Sequence, residues 1–429
     1  MFWLNWLSYF LIRGLTLPLA LLPYQALHRT GKALGIVAYY LLPKFRKRAL
    51  GNLALACESA KNEAELKKLA KEAMGNLMIT CLEYPKLAAE KNIAKLATCL
   101  NPEEADAIMK TGKGVIFFCG HQSNWEILFL EGTSRMPGVA IGRPIKNEVL
   151  YRWILSIREK FGGKMLTRQN AIKEGLKGLK RGAFLGIVGD QGMPDSGYSC
   201  PFLGKTAWTS PVPALLSYRT GCPIIVATTL RKNGRYQIQY SAPIWPDRKQ
   251  EMEHEVDRMM RLALGLFEES IKKTPGQWLW QHNRWKQQTL DKIKRPFRHE
   301  SICIILPGDQ ELFEKYFSLL ATFREIYPRE FITVMLPLEF SERQLPIEAE
   351  KICYSSTSEL FRKDYRFKLI FNFSGVKKVK SHFMKLAAFT VVDWQDLKHE
   401  AQTIPVEYND SQILRRAVCR TCQSGADAI

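Results

Sequence analysis

Between residues 112 and 230, short apolar runs bounded by glycine or proline alternate with longer helical stretches. GKGVIFFCG (112–120), GVAIG (138–142), AFLGIVGD (183–190) and PIIVATTL (223–230) are rich in β-branched and aromatic residues, as buried strands are. Helical patterns fill the gaps at 146–161, 170–181 and 211–220, and another covers 61–98. Strands separated by helices pair in parallel, because each helix carries the chain back along the sheet. The expected fold class is therefore α/β, with a mostly parallel sheet flanked by helices. Sites in such sheets gather at the strand C-terminal ends, where His121 and Asp190 stand.

The chain has 429 residues, enough for two or three units with their own cores. Its 46% hydrophobic and 24% charged residues exclude a disordered or collagenous chain. A mean hydropathy of −0.18 excludes a polytopic membrane protein but not a single anchor. The net charge of +20 favours anionic partners such as headgroups, phosphorylated sugars or acidic proteins. Ten scattered cysteines suit a reducing compartment better than a disulfide framework. Only Cys419 and Cys422 have CxxC spacing, and no second ligand pair accompanies them, so no metal is expected.

The N-terminal segment is unusual in its charge. Met1 to Cys57 contains no acidic residue and seven Lys or Arg. MFWLNWLSYFLI opens it, two further apolar runs follow, and Lys44, Arg46, Lys47 and Arg48 close it. Aromatic residues suit the lipid–water boundary and basic residues suit anionic headgroups. Residues 1–48 are therefore expected to form membrane-associating helices, as a hairpin or a single anchor, with the basic cluster on the cytoplasmic side.

His121 and Glu126 form an H-x4-E pair. Chance supplies about 0.7 such pairs at this composition, so the context carries the signal. His121 leaves a strand and Glu126 opens a helix capped by Ser123 or Asn124, which lets the two side chains converge. An imidazole can take a proton from a hydroxyl while a carboxylate fixes its tautomer. No protein nucleophile accompanies them, which suits direct transfer to a substrate hydroxyl. The absence of a G-x-S-x-G elbow argues against a hydrolase.

GHQSNWEILFLEG resembles the H-x4-[DE] motif of glycerolipid acyltransferases, and within them the bacterial lipid A biosynthesis acyltransferases. RKRALGNLALAC (46–57), GRPIKNEVL (142–150), IREKFGGKMLTRQN (157–170), the Asp-Gln segment through 188–225 and PGQWLWQHNRWK (275–286) match that family in order. Gly192 departs from it, since the family often has an acidic residue there. The resemblance implies His121 as general base, Glu126 as its orienter, and Arg158 holding the oxyanion or an acceptor phosphate. Arg143, Lys146, Arg168 and Asp190 would bind substrate. It further implies a donor thioester on acyl carrier protein and a phosphorylated glycolipid acceptor carrying Kdo sugars. It implies no cofactor, no metal and no nucleic acid, and places the protein at the cytoplasmic face of the bacterial inner membrane. By residue type, Thr209, Ser210 and Pro211 read as a helix start, and Trp278, Trp280 and Trp285 as core.

The resemblance ends near residue 292, after an acyltransferase domain spanning 49–292. Apolar runs at 301–308, 331–338, 367–375 and 388–394, with helical stretches at 310–326 and 377–386, predict a second, smaller Rossmann-like α/β unit over 298–415. It has neither GxGxxG nor a P-loop, and reads as a docking or stabilising appendage. A chain ending near 296 is therefore expected to fold and to keep its activity. Two alternatives stand beside the lipid A activity: transfer to a lysophospholipid or another glycolipid, and a non-catalytic basic membrane-binding protein.

Overall fold

A computed structural model describes residues 2–60, 62–167, 169–288, 292–401 and 408–420. Four helices open the chain: α1 (Phe2–Thr16), α2 (Tyr24–Leu41), α3 (Pro43–Ala56) and α4 (Glu63–Ala89). Pro18, Pro23 and Pro43 mark the breaks between the first three, since proline fits a first helical turn but ends a preceding one. Asn62 caps α4 by accepting from the Glu65 amide at 3.0 Å. Residues Trp3–Leu21 are long and apolar enough to cross a membrane, and none of that stretch is buried. The second helix behaves differently. A Cβ on Gly35 would lie 2.3 Å from the Gly75 Cα, so α2 and α4 cross with their backbones in contact. The inner face of α2 thus belongs to the protein, and the large apolar side chains it exposes are Leu34, Ile36, Val37, Tyr40 and Leu41.

The first sheet has nine candidate strands around it, of which seven join. They run β1 (Ala97–Cys99), α5 (Glu103–Lys110), β2 (Ile116–Cys119), α6 (Glu126–Arg135), β3 (Gly138–Ile141), α7 (Glu148–Arg158) and β4 (Lys164–Leu166). Then follow α8 (Ala171–Lys180), β5 (Phe184–Val188), the hairpin β6 (Ser199–Phe202) and β7 (Lys205–Trp208), α9 (Val212–Thr220), β8 (Ile224–Lys232), β9 (Arg235–Tyr240) and α10 (Met252–Lys273). The strand order is β1-β9-β8-β2-β5-β3-β4. Every pair is parallel except the β8–β9 hairpin. All four residues of β2 are buried, as expected of a central strand covered on both faces.

The C-terminal unit comprises β10 (Ser301–Ile305), α11 (Gln310–Ser318), α12 (Leu320–Ile326), β11 (Phe331–Pro337), β12 (Glu350–Tyr354), β13 (Leu369–Asn372), α13 (Lys378–Lys385), β14 (Thr390–Val392), α14 (Trp394–Glu400) and α15 (Asp410–Val418). Its sheet is wholly parallel with order β12-β11-β10-β13-β14, the Rossmann-like arrangement. This unit is not an appendage in its packing. One continuous hydrophobic cluster includes Leu50 and Leu53 of α3, Phe267 of α10, Trp278 and Trp280, and also Met335, Phe367, Phe383 and Ala388 beyond the boundary. Polar ties cross the same junction. Glu63 accepts from Lys363 Nζ and from the Tyr365 hydroxyl, each at 2.8 Å, and Lys47 Nζ donates to the Ala388 carbonyl at 2.7 Å. The Arg329 guanidinium lies 3.8 Å from the Trp208 ring centre. A shared core bears directly on the expectation that a chain ending near 296 is self-sufficient, which a truncation at that point would test.

Candidate active site

Strands β2 and β5 pair with Cys119 opposite Val188. Continuing that register by two residues sets His121 opposite Asp190. Gly120 makes the approach possible. A Cβ there would fall 2.1 Å from the Phe267 ring and 2.8 Å from Asp190 Oδ2. His121 Nδ1 lies 2.7 Å from Asp190 Oδ1, and its backbone N–H donates to Oδ2 at 2.8 Å. Trp278 Nε1 also donates to Oδ2, at 2.8 Å. Burial by itself would raise the Asp190 carboxyl, but the facing His121 imidazole and these donors hold it well below the usual carboxylate range. An ionised Asp190 draws the imidazole proton to Nδ1 and leaves a lone pair on Nε2. Nε2 faces the exposed Gln191, 3.5 Å away.

The loop 121–124 is fixed by the chain segment after α10. Leu279 N–H donates to the His121 carbonyl at 3.0 Å, and Ser123 N–H to the Gln277 carbonyl at 2.6 Å. Ser123 adopts φ +50°, a strained left-handed backbone held by its hydroxyl's bonds to the Thr229 carbonyl (2.9 Å) and to Gln277 Oε1. Neither predicted residue caps α6 at its N-cap position, which is Trp125. Asn124 Oδ1 instead accepts from the Glu126 N–H at 3.2 Å.

Glu126 does not take the place expected for it. Its carboxylate is engaged by Arg158 in a two-pronged pair, Nε to Oε2 at 2.7 Å and Nη2 to Oε1 at 2.5 Å. The Tyr84 hydroxyl donates to Oε1 at 2.8 Å. The group on His121 Nδ1 is Asp190, which the sequence offered only as a substrate contact. The physical reason is the strand register: it delivers Asp190 to Nδ1, while the first turn of α6 carries Glu126 toward α7. Trp125, between them in sequence, packs edge-on to the His121 ring at 4.6 Å. Tyr84 and Trp278 were not singled out as site residues by the sequence. Tyr84 gave no signal in the sequence, and Trp278 was legible only as core, which it also is.

Residues 2–287 match the sequence profile of the bacterial lipid A biosynthesis acyltransferases. The chain belongs to that family. It is also similar to a lipid A biosynthesis acyltransferase of Haemophilus influenzae, with 27% identity over 188 residues, covering 42% of this chain and 56% of that protein. The chain thus spans about half the length of the curated relative it matches.

This lipid A acyltransferase family member explains its own departure at Gly192. A Cβ there would lie 2.4 Å from the Arg284 carbonyl oxygen, so no acidic side chain fits. Arg284 is wholly buried: it donates to the Trp208 carbonyl (3.0 Å) and Thr209 Oγ1 (2.7 Å), and its guanidinium lies 4.5 Å from the Phe202 ring centre. Burial lowers its pKa to about 10. Thr209 therefore serves Arg284 rather than capping α9, whose N-cap residue is Pro211 and whose first turn holds Pro213. Trp278, Trp280 and Trp285 are all buried, as read. Arg143 and Lys146 are exposed on the segment between β3 and α7. A Cβ built on neighbouring Gly142 would lie 3.6 Å from Arg158 Nη1, so this segment flanks the Glu126–Arg158 pair. Arg168 and Cys422 lie outside the described residues. Among the described residues no cluster of three His, Cys, Asp or Glu forms a metal-ligand set.

The split between the two carboxylates gives a direct prediction. Glu126→Gln keeps one bond to Arg158 but leaves a mostly buried guanidinium short of its counter-charge, costing about 1–3 kcal/mol. The melting temperature falls by several degrees, while the titration of the His121 imidazole, followed by NMR, stays where it is in the wild type. A His121 titration that moves with Glu126 would restore Glu126 as the orienter.

Proposed function

We propose that this chain transfers a fatty acyl group from an acyl carrier protein thioester to a hydroxyl of a lipid A precursor. The observation that carries the reading is the His121–Asp190 pair at 2.7 Å with Nε2 on the open side. Nε2 takes the proton of the acceptor hydroxyl as its oxygen attacks the thioester carbonyl. The C–O bond forms, the C–S bond breaks, and the imidazolium returns its proton to the departing thiolate. Asp190 stabilises that imidazolium and keeps the tautomer correct. Arg158, already fixed by Glu126, and Arg143 and Lys146 receive the phosphorylated acceptor; Arg168 is assigned to the same role from the sequence alone. A surface of net charge +20 attracts both an acidic carrier protein and an anionic lipid. Purified protein, acyl-loaded carrier protein and a Kdo-bearing tetraacylated precursor make the test. Labelled chain appearing in ester linkage on the precursor supports the reading, and transfer only to lysophospholipid would replace it with the alternative acceptor.

The acyltransferase works at the cytoplasmic face of the inner membrane in this proposal, held there by α1. Trp3, Leu4, Leu7, Phe10, Leu11 and Leu15 are all exposed on that helix. Asn147 Nδ2 donates to the Asn5 carbonyl (3.0 Å) and to Ser8 Oγ (2.7 Å), and the Arg13 guanidinium lies 4.5 Å from the Trp153 ring centre, so α1 is braced against α7. Removing residues 1–21 leaves α2 packed on α4 and lowers binding to anionic vesicles by roughly ten-fold or more, the equivalent of 1.4 kcal/mol. Co-sedimentation in high salt checks it, and undiminished binding would show that α1 is not the anchor.

A further inference from the structure

The junction between the two sheets contains a buried polar chain that ends at the catalytic pair. Lys368, immediately before β13, is 1% exposed and forms an ion pair with Glu300, which is equally buried and immediately precedes β10. Its Nζ also donates to Asn52 Oδ1 on α3 at 2.6 Å. Gly51 makes room for it, since a Cβ there would fall 2.7 Å from Lys368 Cε. The Asn52 amide then donates to the carbonyls of Trp280 and His282, each at 2.8 Å. The Asn283 amide, turned to donate, reaches both Glu300 oxygens at 3.2 and 3.3 Å. The segment so clamped holds the site from behind. Trp278 donates to Asp190, Leu279 N–H to the His121 carbonyl, and His282 Nε2 lies 3.1 Å from the Asp190 carbonyl.

We propose that Lys368 is a positioning residue for acyl transfer, through which the C-terminal sheet fixes the 278–283 segment and hence Asp190 and His121. The inference rests on the function proposed above. A buried ion pair contributes little net stability compared with apolar residues of the same volume, because desolvation offsets its attraction. Its directional bonds do fix geometry: an ammonium at this point determines where Asn52 points, and Asn52 determines where two carbonyls of the closing segment lie. Residue 368 lies beyond the 2–287 region that matches the family, so the device belongs to this chain's added unit.

The test uses the full chain. The double variant Lys368→Met with Glu300→Gln removes both buried charges together, so neither is left unpaired. It should melt within a few degrees of wild type, with kcat lowered about ten-fold and the KM for acyl carrier protein unchanged. Its His121 imidazole titration, read by NMR without substrate, should also shift. Asn52→Ala cuts the same chain while leaving the ion pair intact and should reproduce both effects, and it decides the matter if the double variant does not fold. Tyr365→Phe, at the same junction but bonded to Glu63, should change neither. Wild-type kcat and an unmoved titration in a folded variant overturn the proposal. A wild type that transfers no acyl chain overturns the function alone, because the titration still reports whether Lys368 positions His121.

Discussion

His121→Ala and Asp190→Asn each lower acyl transfer by about 10²–10⁴, and the double variant is no slower than the slower of the two. The histidine change removes the base. The asparagine change leaves it in place with its proton on the wrong nitrogen. Two donors, the His121 backbone N–H and Trp278 Nε1, converge on Asp190 Oδ2. An asparagine amide therefore settles with its oxygen there and turns its NH2 toward His121 Nδ1. Nδ1 becomes an acceptor, the ring proton moves to Nε2, and the atom that must receive the hydroxyl proton is already occupied. Initial rates with labelled acyl carrier protein measure the loss, and circular dichroism confirms the fold. Folded Asp190→Asn protein turning over at wild-type rates would remove Asp190 from the mechanism, and a trapped acyl-enzyme would point to a double displacement.

The second large effect is the loss of the C-terminal unit. A chain ending at 296 removes Met335, Phe367, Phe383 and Ala388 from the apolar cluster that also holds Leu50 and Leu53 of α3, and turns the side chains packed on them to water. Each large apolar side chain returned to water costs about 1.5–3 kcal/mol. Four of them approach the whole stability of a typical domain, about 5–15 kcal/mol. The truncated chain should show no cooperative melt, should aggregate, and should transfer no acyl chain. A cooperative transition with full-length turnover in that chain would show that the shared core is a convenience of packing.

Most of the strands legible in the sequence are those largely buried on both faces, though β3, β8 and the edge strand β14 were legible too. β2, β5, β10, β11 and β13 are continuous apolar runs, and their sequence expectations overlap the observed bounds. β9 escaped because RYQIQY alternates, with buried residues at every second position, and β12 because it is a short, half-exposed edge strand. The site was legible as residues more than as roles. His121 and Asp190 both stood at strand ends, but 69 positions separate them. Only the β2–β5 register says that they meet, and register is set by packing rather than by local pattern. The nearer carboxylate in sequence, Glu126, was the natural partner until Arg158 came within reach of it. The shared core was invisible for a related reason: the inward faces of α3 and α13 look like those of any amphipathic helix, and nothing local names the partner.

The link between residues 52 and 368 also sets a timetable. A ribosome adding roughly 5–20 residues per second needs on the order of ten to fifty seconds to pass from His121 to Lys368. During that interval the apolar first helix and the catalytic histidine already exist, while the strut behind Asp190 does not. If α1 is the anchor and Lys368 positions His121, as proposed, a nascent or prematurely terminated chain reaches a lipid surface before its base is finished.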